Sequence, residues 1–268
     1  MKIERREFLK LAGLSAIFGL GGTAIAASVQ QTPSYIPDPK ELTGKRWALV
    51  INMDKFKSEA DVKKVIEVCH TKHNVPTIPN PKQEVKWIFT EMMENVFPEQ
   101  QDKYLTEHYK HMPFLTLCNH CANPPCVRVC PTQATFKRKS DGIVMMDMHR
   151  CIGCRFCMAG CPYGARSLNW IDPRPYLDPK KINPEFPTRM KGVVEKCTLC
   201  YELIAVGKIP ACAEASNGAI VFGDLEDPKS AVRKVLAETY TIRRKPELGT
   251  RPSVYYVIGG MKDAGKGA

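Results

Sequence analysis

Twelve cysteines in a chain of 268 residues carry most of the chemical information in this sequence. Four of them, followed by a proline, have the spacing C-x2-C-x2-C-x3-C-P: Cys151, Cys154, Cys157, Cys161 and Pro162. Three cysteines this close together wrap one cubane, while the fourth, carried away by the start of a helix, ligates a neighbouring cluster. Proline suits the first turn of that helix. The run predicts [4Fe–4S] chemistry rather than zinc or disulfides.

A second run lies upstream, with a loop two residues longer, in the pattern C-x2-C-x4-C-x3-C-P. The two runs continue alike, as Cys130-Pro-Thr-Gln-Ala and Cys161-Pro-Tyr-Gly-Ala, which indicates an internal repeat. Crossed ligation between the runs then predicts two clusters. The first of these is held by Cys118, Cys121, Cys126 and Cys161, and the second by Cys130, Cys151, Cys154 and Cys157.

The remaining cysteines contain an incomplete third motif. Cys197, Cys200 and Cys212 supply three positions, and Ser216 stands where a fourth cysteine is expected. One further cysteine, Cys69, is then left over. Because 12 cysteines divide into three groups of four without a remainder, we expect Cys69 to complete the third site.

The surroundings of Cys69 support this assignment. Val62, Val65, Ile66 and Cys69 occupy the i, i+3, i+4 and i+7 positions of one apolar helix face. The fourth ligand of a cluster is expected on the apolar face of a helix of this kind. The alternative is a buried free thiol, which is common for cysteine.

The N-terminus predicts an export signal. Arg5 and Arg6 are followed by Phe-Leu-Lys, by an apolar run over residues 11–27 and by the small-residue sequence Ala24-Ile25-Ala26. This order is typical of a secretory signal, and the paired arginines are typical of the twin-arginine route. We expect residues 1–26 to be this signal, either cleaved or kept as an anchor. The protein should then be periplasmic or extracytoplasmic and peripheral on the cell membrane.

The formal charge of +11 does not indicate a nucleic-acid partner. Part of it lies in residues 1–26, and thiolate-held clusters add negative charge to the remainder. Export also removes the protein from nucleic acid, so we expect no such partner. With 44% hydrophobic residues, the chain is long enough for a packed core and is not a disordered protein.

These motifs resemble the four-cluster ferredoxin subunits of exported membrane oxidoreductases, such as the electron-transfer subunits of polysulfide, dimethyl-sulfoxide and nitrite reductases. In that family an N-terminal motif pairs with the last motif, and the two middle motifs pair with each other. Here the first motif keeps only Cys69, because Phe56, Val62 and Val65 occupy the stretch of its other cysteines. The last motif correspondingly has Ser216. The resemblance therefore implies three [4Fe–4S] clusters, with iron bound by the twelve cysteines.

Several segments are more closely similar to the iron–sulfur subunits of Dsr-type complexes and of heterodisulfide-reductase-like menaquinol oxidoreductases. They are residues 123–130, 141–147, 149–157, 186–189 together with 193–197, and 242–249. The similarity implies an integral quinone-binding subunit, a multihaem cytochrome c and a heterodisulfide-reductase-like module as partners. An electron-transfer subunit of a molybdopterin-type reductase is the alternative.

The family pattern implies a non-catalytic electron relay. Its order would run from the cluster of Cys69 through that of Cys118 to that of Cys151, which would lie nearest the quinone subunit. No catalytic constellation of another kind is present in the sequence. A zinc- or disulfide-stabilised binding protein without a redox role is the remaining class.

The resemblance also implies an α+β fold of tandem bacterial-ferredoxin-like modules with long insertions and loops. We expect a linker over 27–44, a ferredoxin-like domain over 45–225 and a C-terminal helix and tail over 226–268. Within the domain, the outer module combines 45–76 with 190–225, and the inner module spans 113–170.

Several shorter elements should position the ligands. Residues 44–52 and 142–147 predict strands, and Asp227-Pro228 predicts the start of a helix that continues to about Thr239. Residues 84–93 fit a helix by periodicity, whereas the family suggests a strand over 85–90. Residues 254–258 predict either a strand or a contact with a partner subunit. The proline-containing stretch 173–187 predicts a surface loop, and the tryptophans are expected in the core: Trp47, Trp87 and Trp170.

Charged residues next to ligands offer a way to tune the clusters. Lys196, Arg150 and Arg155 adjoin ligand cysteines, and positive groups stabilise the added electron of a reduced cluster. Ordinary surface charge is the alternative for each. His120 and His149 also lie beside ligands, but the cysteines fill the ligand places. We interpret these histidines as neighbours of the ligands or as surface groups.

Overall fold

The computed structural model describes residues 37–104 and 107–258. The chain divides into two units, Met1–Asp38 and Pro39–Ala268, and every element below belongs to the second. The predicted signal over 1–26, residues 27–36 of the predicted linker and residues 259–268 of the tail lie outside the described residues. Helices and strands occur together, as expected for an α+β fold.

Most elements are short, and long connections join them. The described strands are β1 (Trp47–Asn52), β2 (Ile88–Met92), β3 (Pro113–Leu117), β4 (Thr135–Lys137), β5 (Val144–Met146), β6 (Ser167–Leu168), β7 (Val194–Glu195), β8 (Ile220–Asp224), β9 (Thr241–Ile242) and β10 (Val254–Val257). The described α-helices are α1 (Glu59–Lys72), α2 (Met93–Val96), α3 (Glu107–Lys110), α4 (Pro125–Arg128), α5 (Phe156–Ala159), α6 (Tyr201–Ile204), α7 (Ala211–Ala215) and α8 (Ala231–Glu238). Single 3₁₀ turns occur at Met53–Lys55, Pro81–Gln83, Pro98–Gln100, Arg174–Tyr176 and Pro246–Leu248.

A four-stranded sheet with the order β8-β1-β10-β9 forms the frame. β1 pairs antiparallel with β8 and parallel with β10, so that Leu49 lies opposite Phe222 on one side and Val254 on the other. Leu49 packs in the main core, whereas Val50 packs with α8 on the other face. Both faces of β1 are therefore buried, which explains its continuous apolar sequence. Of the predicted stretch 254–258, Val254–Val257 thus form a strand of this sheet.

Three two-stranded ribbons lie next to the cysteine motifs. They pair β2 with β3, β4 with β5, and β6 with β7, each antiparallel. β3 ends directly before Cys118, and β7 ends two residues before Cys197. The ambiguous stretch 84–93 is a strand over Ile88–Met92 because it forms a ladder with β3, which overrides its helical periodicity.

Helix α1 confirms the predicted apolar helix face. It begins after Ser58, whose side chain and that of Asp61 form a capping box. Val62, Val65 and Cys69 are buried on the face that the sequence indicates. The helix thus holds Cys69 at a fixed point of the core.

Helix α8 begins later than the sequence predicts. Its N-cap is Ser230, and the helix spans Ala231–Glu238. The carboxylate of Asp227 instead accepts a hydrogen bond from the backbone N–H of Lys229 at 2.9 Å. Because of this local hydrogen bond, the residues predicted to start the helix form a turn instead.

The tryptophans differ in burial. Trp47 and Trp87 are buried as predicted, but Trp170 is 40% exposed. The prediction for Trp170 is wrong. Its ring lies at the surface, where the Arg155 guanidinium stacks over it at 5.0 Å from the ring centre. Among the helices of the described part, none is long and apolar enough to cross a bilayer.

Candidate iron–sulfur centres

The first predicted site joins residues from three helical elements. Cys69 is on α1, Cys212 is on α7, and Cys200 precedes α6. Leu199 and Cys200 both have left-handed backbone angles, with φ of 59° and 50°. This turn lets the backbone N–H of Leu199 donate to the Cys197 sulfur at 3.4 Å. All four thiols of the site are buried.

The four thiols of this site influence one another. Burial first, and then the thiols of Cys200, Cys197 and Cys212, raise the pKa of Cys69 well above its ordinary value. Burial likewise raises the pKa of Cys197 to about 12 and that of Cys212 to about 11. Such thiols keep their protons at neutral pH unless a cation binds them. Cys69 is therefore placed beside the three cysteines that the sequence assigns to it.

The second predicted site surrounds one cavity. Pro124, Val144, Tyr163 and Arg166 are among the residues that line it. The lining also includes all four assigned cysteines, Cys118, Cys121, Cys126 and Cys161. Burial raises the pKa of Cys121 to about 12, and the other three thiols contribute to the change. Cys161 comes from the downstream run, so the structure brings together the crossed set of cysteines.

The third predicted site is nearer the surface. Burial foremost, and then the thiols of Cys151 and Cys130, raise the pKa of Cys157. Cys130 and Cys151 are partly exposed, and each sulfur accepts a backbone N–H at 3.4 Å, from Thr135 and Val194 respectively. The structure thus gathers one ligand of the upstream run with two of the downstream run.

Cys154 lies on the loop between Cys151 and Cys157 and is partly exposed. The loop turns at Gly153, which has a φ of +68°. A side chain at this position would also collide with the backbone carbonyl of Gly192. Glycine is therefore required here both for the left-handed turn and for the close approach of the two chains.

Comparison with known proteins shows the family of this chain. Residues 109–173 match the 4Fe-4S dicluster domain. The chain is 40% identical to the Hdr-like menaquinol oxidoreductase iron-sulfur subunit 1 of Archaeoglobus fulgidus, over 96% of this chain and 99% of that protein. It belongs to this family of iron–sulfur subunits.

Two further relatives extend the comparison. The iron–sulfur subunit is 35% identical to the menaquinone reductase iron-sulfur cluster-binding subunit of Nitratidesulfovibrio vulgaris, over 79% of this chain and 88% of the relative. It is 47% identical to a putative dimethyl sulfoxide reductase iron-sulfur subunit of Halobacterium salinarum, over 54% of this chain and 55% of the relative. The predicted resemblance is confirmed, and with it the assignment as a [4Fe–4S] electron-transfer subunit.

Unpaired polar atoms next to the ligands fit such clusters. Among the described residues, the side chains of Asn119 and Thr198 are buried without a hydrogen-bond partner, as is one terminal nitrogen of Arg166. Asn119 follows Cys118, and Thr198 follows Cys197. Buried polar atoms are normally paired. Thiolates and sulfides of clusters accept hydrogen bonds, so these groups match the chemistry of the donor set.

The charged neighbours of the ligands separate into two groups. Lys196 is buried, whereas Arg150 and Arg155 are exposed. His120 is buried and accepts the backbone N–H of Val144 through Nδ1 at 3.1 Å, and burial lowers its pKa well below the ordinary range. His149 is exposed.

A buried ion pair behind the first site was not anticipated from the sequence. Arg189 and Glu195 are joined at 2.7 Å, and both side chains are fully buried. Glu195 also accepts hydrogen bonds from Trp87 Nε1 at 2.7 Å and from Asn169 Nδ2 at 2.5 Å. Arg189 donates to the carbonyl of Asn74 at 2.7 Å. The pair thereby ties the end of α1 to β2 and β7.

His73 connects this network to the first site. Its ring stacks on Trp87 with centres 4.6 Å apart, and its Nδ1 lies 2.8 Å from the carbonyl oxygen of Cys69. Its Nε2 lies 2.9 Å from the carboxylate of Glu202. Donor atoms of His73, Cys200 and Glu202 fall within 4.8 Å of one another. Because Cys200 belongs to the first site, this group is part of the same centre.

Proposed function

We propose that this iron–sulfur subunit carries three [4Fe–4S] clusters in tandem ferredoxin-like modules and relays electrons between partner subunits. The proposed ligand sets are Cys69, Cys197, Cys200 and Cys212; Cys118, Cys121, Cys126 and Cys161; and Cys130, Cys151, Cys154 and Cys157. The observation that carries this proposal is the cavity lined by cysteines of two different runs. A tetrad that crosses between runs is characteristic of paired ferredoxin clusters.

The surroundings of Ser216 support three clusters rather than four. Its hydroxyl donates to the Ala213 carbonyl at 2.7 Å and accepts the backbone N–H of Ile220 at 2.9 Å. Val62 and Val65, which occupy the stretch of missing cysteines, are buried in the main core. Apolar packing and a satisfied hydroxyl thus occupy the positions from which a fourth cluster would be bound.

Each bound cluster supplies a site that takes up and releases one electron. The chain contributes thiolates that fix the position of each cluster and a core that excludes water from most of them. In the first two sites, every assigned cysteine except Cys161 is buried: Cys69, Cys118, Cys121, Cys126, Cys197, Cys200 and Cys212. We place the first site at the start of the relay and the third site nearest the membrane partner.

The names of the relatives support a menaquinol oxidoreductase complex as the setting. We propose an integral quinone-binding subunit, a multihaem cytochrome c and a heterodisulfide-reductase-like module as partners. Export through residues 1–26 would place the subunit on the outer face of the cell membrane. The dimethyl sulfoxide reductase relative supports a molybdopterin-type reductase as the second candidate. Purification from native membranes decides between them, because the co-purifying subunits differ.

Iron analysis with low-temperature EPR tests the cluster count. The anaerobically purified protein should contain about twelve irons per chain. Cys69→Ala should reduce this to about eight and remove one EPR signal, because one tetrad loses its helix-borne ligand. Ser216→Ala is the matched control and should keep all the iron. Unchanged iron in Cys69→Ala would make Cys69 a free thiol, and zinc in place of iron would refute the redox function.

A further inference from the structure

Arg166 connects the second and third sites. Its side chain is only 4% exposed, and it lines the cavity of the second site. One terminal nitrogen donates to the hydroxyl of Thr135 at 3.0 Å and lies 3.8 Å from the sulfur of Met146. Those two residues belong to the β4–β5 ribbon, so the guanidinium is fixed from one side.

This guanidinium lies between ligands of two clusters. It lines the cavity of the second site together with Cys126. Thr135, which accepts its hydrogen bond, donates its own backbone N–H to the sulfur of Cys130 at 3.4 Å. Cys126 belongs to the proposed second cluster and Cys130 to the third. The charge of Arg166 also opposes the rise in pKa that burial causes at Cys126 and Cys157. One buried cation therefore lies beside ligands of two clusters.

Within the described part of the chain, no carboxylate pairs with this cation. Among the ion pairs of residues 37–104 and 107–258, none includes Arg166. Its second terminal nitrogen also lacks a hydrogen-bond partner there. A buried unpaired charge is strongly unfavourable. Arg166 instead lines a cavity with four assigned cysteines, whose thiolates become negative when they bind a cluster and would then supply its counter-charge.

We propose that Arg166 is a shared cation of the second and third clusters and stabilises an added electron on either one. The proposal rests on the proposed three-cluster ligand set. Because the guanidinium is permanently charged and held away from water, its effect on both clusters is weakly screened. Removal of the charge at this one position should therefore affect both clusters.

Lys196 provides an internal comparison. It is 1% exposed, and its ammonium donates to the carbonyl of Cys197 at 2.7 Å and to that of Val144. Its charge acts on the thiols of Cys197 and Cys126, which belong to the first and second sites. Removal of this charge should therefore affect a different pair of clusters from the pair affected at Arg166.

A redox titration followed by low-temperature EPR tests the proposal on the intact, cluster-loaded protein. In Arg166→Gln, two of the three midpoint potentials should fall by about 59 mV each. For one electron, this equals about a tenfold change in the ratio of reduced to oxidised cluster. Lys196→Gln should lower the midpoint potentials of the first and second clusters, so that only the second cluster responds to both substitutions. Arg150→Gln is the control: this arginine adjoins Cys151 but is 64% exposed and pairs with Asp147, so the potentials should stay unchanged.

The outcomes are separable. A wild-type iron content other than about twelve refutes the ligand set, whereas twelve irons with one or no shifted potential in Arg166→Gln refutes the shared cation. If Arg166→Gln does not assemble, Arg166→Lys carries the test. Its single ammonium cannot both line the cavity of the second site and bond to Thr135, so one of the two potentials should fall and the other should remain. Two unchanged potentials in Arg166→Lys would also overturn the proposal.

Discussion

Replacement of Arg189 by methionine should weaken the protein at the base of the first site. Arg189→Met preserves much of the side-chain volume but leaves the Glu195 carboxylate buried without its cation. Loss of one partner of a buried ion pair costs about 3–5 kcal/mol. Trp87 and Asn169 continue to donate to Glu195, which limits the loss, so we take the lower figure of about 3 kcal/mol. This corresponds to about a 150-fold larger population of the opened state.

The assay is the rate at which the visible absorption of the clusters bleaches in anaerobic buffer with an iron chelator. When opening is fast compared with chelation, this rate follows the opened population. The control is Arg174→Met, which breaks the 2.6 Å pair with Asp172 at a position where the arginine is 61% exposed. An exposed pair contributes about 0–1 kcal/mol, so the control should bleach at most about fivefold faster than wild type.

The double variant Arg189→Met/Glu195→Gln sharpens the result. It removes both charges, so it should lose its clusters more slowly than Arg189→Met alone. Equal bleaching rates in Arg189→Met and Arg174→Met would refute the reasoning. They would show that the buried pair does not hold the end of α1 against β7.

Further predictions concern three other positions. Burial raises the pKa of Tyr256 from 10.0 to about 12, so its neutral phenol stabilises the fold fully below pH 10 and loses this effect as the pH rises toward 12. Tyr256→Phe should flatten that alkaline decline in denaturation experiments, at a cost of about 1 kcal/mol at neutral pH for the lost bond to Leu115. Ser216→Cys should leave the iron content at about twelve, because one added thiol cannot replace four ligands; additional iron would contradict this. Gly153→Ala should lower the iron content, because alanine strains the turn and meets Gly192; full iron and unchanged EPR would show that the loop adapts.

The cysteine runs could be recognised in the sequence because the spacing within a run is local. The run from Cys151 to Cys161 and the helix face of Cys69 both depend on residues within a few turns of chain. The strand at Ile88–Met92 was ambiguous, because its apolar residues fit both periods and only pairing with β3 decides the matter. The predicted start of α8 was wrong because the carboxylate of Asp227 accepts a hydrogen bond from the Lys229 N–H and forms a turn there.

The buried charges were harder to predict because their partners are distant in sequence. Glu195 meets Trp87 across 108 positions, and Arg189 meets Asn74 across 115. No periodicity connects such residues. Lys196 and Arg150 both adjoin ligands in sequence, yet one is buried and the other exposed, which only the folded chain distinguishes.

The parallel pairing of β1 with β10 determines when the central sheet can close during synthesis. The ribosome makes Trp47–Asn52 before any assigned cysteine, but its partner Val254–Val257 only after all of them. The second and third tetrads are complete once residue 161 has been made, and the first only at residue 212. Closure of the central sheet therefore follows synthesis of every ligand. A completed β1–β10 pair is therefore present only in chains that already contain every assigned cysteine.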